Sequence, residues 1–546
     1  MKPACAIGRF GRSEDGAILV FVAVSLAAML GMAALAFDFG RVTVTQSELQ
    51  SYADNVALAA AGELDGHADA ITRATGAAAN MISDRQTFGI RNKDQMLSGN
   101  TDYQLFFYAA PANPDIEPAQ AGQLLDPSDP ASALQAAFVR VVVATHEIDT
   151  PLAAAVASLI GDSYRFTSVD AEAVAGFTLT ACDITPMFFC LPQPGLNVTE
   201  GQMIKMVSQG GGSQQWGAGN FGFLQANDVL GIDEGGACAS APAGQEDSCA
   251  LAASRSVSQC FSQRGVETKP GLSVGNMIAG FNTRFDQYDA TSKQFRNAAK
   301  YDVDNFAAAP NVLDGWITQA NGNNCTVTEA PPYEVAGVIN PAATIGLPLD
   351  DCFAGGGACP VYQTDGQGAI LTDADGNPVA AVDGNGDPVT TRIGDGDFST
   401  GLQDYLTVNY GGAAPAWFPA SGTRYDIYKA EVANQSALQS LLAAAGKAES
   451  NLPGCQPASS SAAANPYRRV VVAAGIDCNT YQGELNGGSG TIPVSKFVEI
   501  FLIRPSESDG TGARAVIYGE VIRTIESGVG GGSAGGILHD VVQLYR

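Results

Sequence analysis

Charge is scarce in this 546-residue chain, with Asp, Glu, Lys and Arg together making up 16% of it. Only 29 residues are basic against 56 acidic ones, for a net charge of −27. That balance repels nucleic acid and anionic lipid headgroups, so no DNA, RNA or charge-driven membrane-surface role is expected. Histidine is scarcer still, and His67, His146 and His539 are scattered. No two cysteines stand close enough for a CxxC redox pair or a structural zinc site. The phosphate-cradling GxxxxGK[ST] and the metalloprotease HExxH are missing as well, which removes P-loop nucleotide hydrolases and that zinc protease class. What is not scarce is apolar residues, at 46%. Wholesale disorder is thereby excluded and real cores are expected.

Three partial motifs fail on context. Gly217-Ala218-Gly219-Asn220-Phe221-Gly222 fits the dinucleotide fingerprint GxGxxG, but SQGGGSQQW precedes it instead of an apolar strand, so it reads as a tight glycine turn. Gly531-Gly532-Ser533-Ala534-Gly535 fits the GxSxG nucleophile elbow, yet only 11 residues follow it and His539 is too near. It reads as a flexible spacer. Asp373, Asp375, Asp383 and Asp387 alternate with other residues as calcium ligands do. Pro378 and Pro388 replace the required glycines and the bidentate Glu is missing, so hairpin turns are the expectation, with a looser Ca²⁺ site the alternative. No catalytic residue and no resident cofactor are expected.

The dominant feature is the uncharged run Ala17–Phe37, AILVFVAVSLAAMLGMAALAF. As a helix it is long enough to cross the ~30 Å bilayer core. Lys2, Arg9 and Arg12 precede it and Arg41 alone follows closely, so residues 1–16 are expected in the cytoplasm and the rest across the membrane. Ala34-Leu35-Ala36 has the small-x-small form of a signal-peptidase site. The run exceeds a signal-peptide core and Glu14-Asp15 is atypical before one, which favours a retained anchor. Ala23, Ala27 and Gly31, at steps of four, form a ridge on which another membrane helix could pack.

Residues 38–65 continue as an amphipathic stalk helix, with Leu49, Ala53, Val56, Ala57 and Ala60 on an apolar face and Gln46, Gln50 and Asp54 on a polar stripe. That face packs either on a partner or on the protein's own first domain. The chain then divides into a small α+β domain (66–177), a Gly/Cys-rich domain (178–350), a β-meander and helix (351–450), C-terminal strands (451–526), and a Gly-rich spacer and tail (527–546). Within the α+β domain, strands are expected at Tyr103–Tyr108 and Phe138–Thr145, with a short helix at Pro151–Ile160. Cys5 lies before the apolar run. The other ten cysteines (Cys182, Cys190, Cys238, Cys249, Cys260, Cys325, Cys352, Cys359, Cys455, Cys478) lie beyond it, an even number that predicts up to five disulfides in an oxidising compartment. The close pairs Cys182/Cys190 and Cys352/Cys359 are the expected small loops, and the spacing leaves the other pairings open. The expected class is α+β: a transmembrane helix, an amphipathic continuation, and a disulfide-braced, strand-rich region.

The stretch from Arg9 to Leu64 resembles the N-terminal module of TadG-like proteins of the Flp (tight adherence) pilus-assembly system. Its resembling pieces are the basic start, Gly16, the apolar span, Asp38 with Gly40-Arg41, Leu49-Gln50, Ala53-Asp54 and the alanines through Ala61. WGAGNFGFL (216–224), VETKPGLSVGNMIAGFNTRFDQY (266–288) and RRVVVAAGIDC (468–478) are similar to TadG-related chains too. The resemblance implies a single-pass inner-membrane protein with a periplasmic bulk, whose partners are other pilus-assembly or pilin-like membrane proteins and the lipid bilayer. Two features of relatives do not carry over. The DxSxS metal site of a von Willebrand A-type domain is missing, Asp126-Pro127-Ser128-Asp129 being the nearest approach. The prepilin-processing Glu is replaced by Phe21, five residues after Gly16. A surface adhesin using the acidic meander (361–398) is one alternative function, and an anchored periplasmic hydrolase, which would need a triad or metal cluster, is another.

Overall fold

The computed structural model describes residues 15–65, 69–81, 83–87, 95–98, 102–109, 124–159, 166–182, 184–193, 196–209, 215–225, 238, 241, 245–253, 260–262, 265–269, 273–335, 338–353, 357–363, 371–373, 376, 378–456, 465–487, 491–525 and 538–545. They fall into two compact units, one built from the chain's beginning through Thr178 plus Asp540–Arg546, the other from Leu179–His539. This redraws the expected partition. Residues 178–350 and 451–526 contribute strands to one sheet, 351–450 lie in the same unit, and Asp540–Arg546 belong to the first unit.

The spine of the first unit is helix α1 (Asp15–Ala61). Alanine dominates it, with leucine and valine next, and proline is lacking, so nothing interrupts the backbone ladder where the apolar span becomes amphipathic helix. Its apolar span is exposed, Phe21 by 74% and Leu30 by 62%. The hydroxyls of Ser25 and Thr43 donate to the carbonyls of Phe21 (2.7 Å) and Phe39 (2.9 Å) one turn earlier, so both are satisfied within the helix. Burial starts at Asp38 and recurs at Arg41, Thr45, Leu49, Ala53, Val56 and Ala60, the three-to-four step of one helix face.

That face packs on α2 (Ala70–Met81) and on a sheet formed by β1 (Tyr103–Tyr108), β2 (Phe138–Asp149), β3 (Phe166–Cys182) and the C-terminal strand Leu538–Leu544. The pairing order is β1–β2–β3–C-terminal strand, antiparallel between β1 and β2 and between β2 and β3. Arg73 of α2 ties down the corner after α1 by pairing with Glu63 and Asp65. The tail contributes Tyr545, whose N–H donates to Val174 (2.8 Å) and whose ring meets Phe138 edge-on at 5.1 Å.

The second unit is organised by β4 (Met187–Cys190), β5 (Met203–Ser208), β6 (Asn220–Leu224), β7 (Val266–Lys269), β8 (Val470–Ile476), β9 (Lys496–Leu502) and β10 (Ala515–Ile525). Pairing runs β6–β4–β8–β9–β10, and β5 then pairs both β10 and β6, so six strands close into a ring. Closure removes free edges, and a ring this small is filled by side chains. Alternation is visible in β4: Met187 and Phe189 join Ile204, Met206, Phe221, Val498 and Ile500, while Phe188 and Cys190 face a second layer with Ile476 and Phe497. Helices α3 (Pro151–Leu159, in the first unit), α4 (Glu246–Ala252), α5 (Val274–Asn282), α6 (Ser399–Tyr410), α7 (Arg424–Ala433) and α8 (Gln435–Ala444) complete the longer or functionally placed elements. Among its described residues the meander holds isolated antiparallel bridges, such as Tyr362 with Ala380 and Val382 with Pro388, and the two-residue strand Thr390–Thr391.

Among the described residues four disulfides are seen: Cys190–Cys478, Cys238–Cys249, Cys325–Cys455 and Cys352–Cys359. The expected small loop between Cys182 and Cys190 does not form. Parallel pairing of β4 with β8 sets Cys190 beside the end of β8 and hence near Cys478, while the register of β3 sets Cys182 opposite Cys260.

Candidate functional site

The end of the apolar span is where burial within the first unit begins. Asp38 is buried there, and its Oδ2 accepts the N–H of Ala153 at 2.6 Å. A carboxylate at the first turn of α3 satisfies an orphan amide and faces the positive end of the helix dipole. The sequence carries Asp38 in plain view, but its contact lies 115 residues away, beyond any local pattern.

Leu49, Ala53, Val56, Ala57 and Ala60 are fully buried within the first unit. Of the two readings of this face, the structure has the internal one: it packs on the protein's own first domain from Asp38 onward. The polar stripe is engaged as well, since the Gln46 and Gln50 side-chain amides donate to the carbonyls of Asp170 (2.7 Å) and Glu172 (2.8 Å) on β3. α1 beyond Phe37 is therefore a core element of that unit and no free stalk. Ala23 and Ala27 remain exposed, and a Cβ on Gly31 would meet nothing within 4 Å, so the small-residue ridge is uncovered.

Among the calcium candidates, Asp375 lies outside the described residues and Asp373 is exposed. Asp383 Oδ1 accepts the N–H groups of Asn385 (2.8 Å) and Asp387 (3.0 Å). Those bonds hold its carboxyl below the ordinary range and close a turn. A different acidic group, Asp350, Cys352 and Asp395, has its ligand atoms within 4.8 Å of one another. The Cys352 sulfur is committed to Cys359 and Asp350 to Arg424, which leaves no ligand set for a cation. Gly219, at φ +76°, and Gly222, where a Cβ would come within 2.7 Å of the Phe188 ring, shape a turn into β6. A strand follows this turn where a dinucleotide site requires a helix. Ser533 of the GxSxG match lies outside the described residues.

The second unit spends its buried charge on internal nodes. Glu520 of β10 sits at the first turn of α7, accepting the N–H of Tyr425 (2.8 Å) and of Arg424 (3.0 Å). The Arg424 guanidinium bridges Glu520 and Asp350 and lies 4.0 Å over the Phe398 ring. Thr423 and Asp426 form the capping box of the same helix, the one local signal that would have located this node. Glu431 accepts from Tyr405 (2.5 Å), Tyr410 (2.6 Å) and Asn311 (2.6 Å), while burial pushes its carboxyl up.

Two of the stretches similar to TadG-related chains meet in this core. Arg284 donates to the carbonyl of Arg468 (2.9 Å) and to Leu251 at the end of α4. Arg469 lies within 4.6–4.9 Å of the Phe285, Tyr428 and Phe501 rings and donates to the carbonyls of Leu502 and Ile503. The Arg468 guanidinium donates to the carbonyls of Ala307 and Ala252, and desolvation lowers the affinity of the Arg284, Arg468 and Arg469 guanidiniums for their protons, a cost that carbonyls and ring faces help to offset. The arrangement braces segments 184 residues apart.

The architecture defines a class: a chain with an N-terminal helix of membrane-spanning length and composition, rooted in an α+β unit, followed by a disulfide-braced, strand-rich unit. Residues 16–63 match the family model described as Putative Flp pilus-assembly TadE/G-like. The match covers α1 nearly end to end, from the exposed span through the buried face. No curated protein and no solved structure matched the chain.

Proposed function

We propose that this chain is a non-enzymatic, single-pass component of Flp-type pilus assembly in the bacterial inner membrane, supporting pilus formation and adherence. The observation that carries the reading is the coincidence of the TadE/G-like match, residues 16–63, with a helix that joins an apolar span to a folded unit. The basic residues before the span favour a cytoplasmic N-terminus and a periplasmic bulk. The disulfides beyond it fit an oxidising compartment. Partners among the pilus-assembly or pilin-like membrane proteins would approach along the exposed ridge of Ala23, Ala27 and Gly31, where small residues allow close helix contact. No resident cofactor is part of this reading, and heat from a calorimetric Ca²⁺ titration would count against that element of it.

The test is deletion of the gene with complementation by the full chain. Loss of surface pili and of attachment, restored by the full chain and not by one with the span replaced by a cleavable signal, is the expected result. Normal piliation in the deletion strain would overturn the proposal. A direct adhesin is the second reading, favoured by the meander, where Leu371 and Val382 are 41% and 54% exposed. Recovery of the protein in sheared surface material, away from the inner membrane, would select it.

A further inference from the structure

We infer that α3 (Pro151–Leu159) lies in the bilayer interface as a second membrane contact of the first unit. This rests on the reading of α1 as a membrane anchor. The segment Thr150–Ile160, TPLAAAVASLI, carries no charge, although the chain as a whole is strongly acidic. Its inner side is fixed: Ala157 is buried, the helix packs on α1, and its N-terminal turn is held by Asp38 in the turn where the span leaves the membrane. Its outer side shows Pro151, Leu152 (38% exposed), Ala155 and Ser158. Ser158 is the one hydroxyl there, and it donates to the carbonyl of Ala155 at 2.7 Å, so no outward hydrogen bond is left wanting. The exposed apolar surface of α1 continues past Phe37 to Phe39 on the same stretch of helix.

Continuity with the span decides the occupant. An amide of α3 is bonded to the residue directly after Phe37, so α3 sits level with the edge of the hydrocarbon, where apolar helices lie in the plane of the interface. The opposite end of the buried face, near Ala61, is about 34 Å further along α1. Asp69, just beyond it, is a water-facing reference in the same unit, its side chain 67% exposed. Lipid is favoured over a protein partner because the outer side offers no charge and no unsatisfied polar group that would specify one.

The full chain is reconstituted in vesicles of phosphatidylcholine and phosphatidylglycerol with the photoreactive residue p-benzoylphenylalanine replacing Leu152, Leu26 or Asp69, one at a time. Adducts are then identified by mass spectrometry. Lipid adducts at Leu152 approaching those at Leu26, and several-fold above those at Asp69, are the expected result. Lipid adducts at Leu26 with none at Leu152 overturn the inference and leave the anchor standing. Loss at both positions overturns the anchor and the inference with it. Labelling at Asp69 equal to that at Leu152, or adducts of Leu152 to a protein chain in place of lipid, also overturns it.

Discussion

Replacing Arg424 by Met removes one cation from between two buried carboxylates and tests whether the helix-to-sheet node of the second unit is electrostatic. The Asp350, Arg424 and Glu520 side chains are all fully buried. Removing one partner of a buried pair costs about 3–5 kcal/mol, because the remaining charge is left uncompensated. Two features pull in opposite directions. Asp350 retains the Gly396 N–H and Glu520 retains two backbone N–H groups of α7, which softens the loss. The bond from Nε to the Pro348 carbonyl and the contact over Phe398 are lost in addition, about 1–2 kcal/mol together. A deficit of about 4 kcal/mol is therefore expected at pH 7.5.

The pH dependence follows from the same geometry. Burial already raises the Asp350 and Glu520 carboxyls, and the Arg424 charge holds them down. Without that charge both rise further and take up protons more readily as pH falls. Each carboxyl that does so returns about 1.4 kcal/mol per pH unit. The deficit should therefore shrink by pH 5. The assay is urea unfolding of the detergent-solubilised full chain, read by near-UV circular dichroism at both pH values. The triple variant Arg424→Met, Asp350→Asn, Glu520→Gln should recover more than half of the loss. A deficit below about 1 kcal/mol at pH 7.5, inside the range of exposed pairs, or an equal deficit at both pH values, refutes the reasoning.

Three further outcomes are expected. Cys190→Ala with Cys478→Ala, opening a loop of 288 residues, should cost about 4–5 kcal/mol in denaturant unfolding, against about 2 kcal/mol for Cys352→Ala with Cys359→Ala, whose loop spans 7. Ala57→Leu on the buried face of α1 should destabilise the first unit by about 1–3 kcal/mol by overpacking, seen as faster proteolysis, while Ala27→Leu in the exposed span should not. Desolvation lifts Asp286 from 3.8 to about 6 and Glu449 from 4.5 to about 7, so the native state binds protons that the unfolded chain releases. Their contribution is complete below about pH 4 and lost as pH rises to about 7; a thermal midpoint that stays level across that window in the parent, or a fall that is undiminished in Glu449→Gln, would contradict it.

Elements whose cause is local were legible in the sequence. The apolar run of α1 is long, lacks proline and shifts to a three-to-four period at Leu49, Ala53 and Val56, so both halves of the helix could be placed. Tyr103–Tyr108 is a strand as expected, and β8, β9 and β10 fall within the region 451–526 where C-terminal strands are expected. The ring was not legible. In β4, Met187, Phe188, Phe189 and Cys190 are all buried because both faces of the strand are covered, which erases the alternation by which a strand is recognised. Closure by β5 is a matter of pairing between segments more than 300 residues apart, Val207 with Val516, and no spacing rule reports it.

The same distinction explains the functional residues. Asp38 stands in the most recognisable part of the chain, yet its role depends on an amide at Ala153, and Arg424 acquires two carboxylates from opposite directions along the sequence. The three segments that stood out by resemblance behave alike: residues 216–224 form the turn into β6, while 266–288 and 468–478 supply Arg284, Phe285, Arg468 and Arg469 to one buried node. Arg284, Arg468 and Arg469 are fixed by carbonyls and ring faces inside the core. What distinguishes these stretches is thus assembly of the second unit, which turns the search for a partner surface away from them. It points to the surfaces left open in the first unit: the small-residue ridge of α1 and the uncharged outer side of α3, which Asp38 holds at the foot of the span.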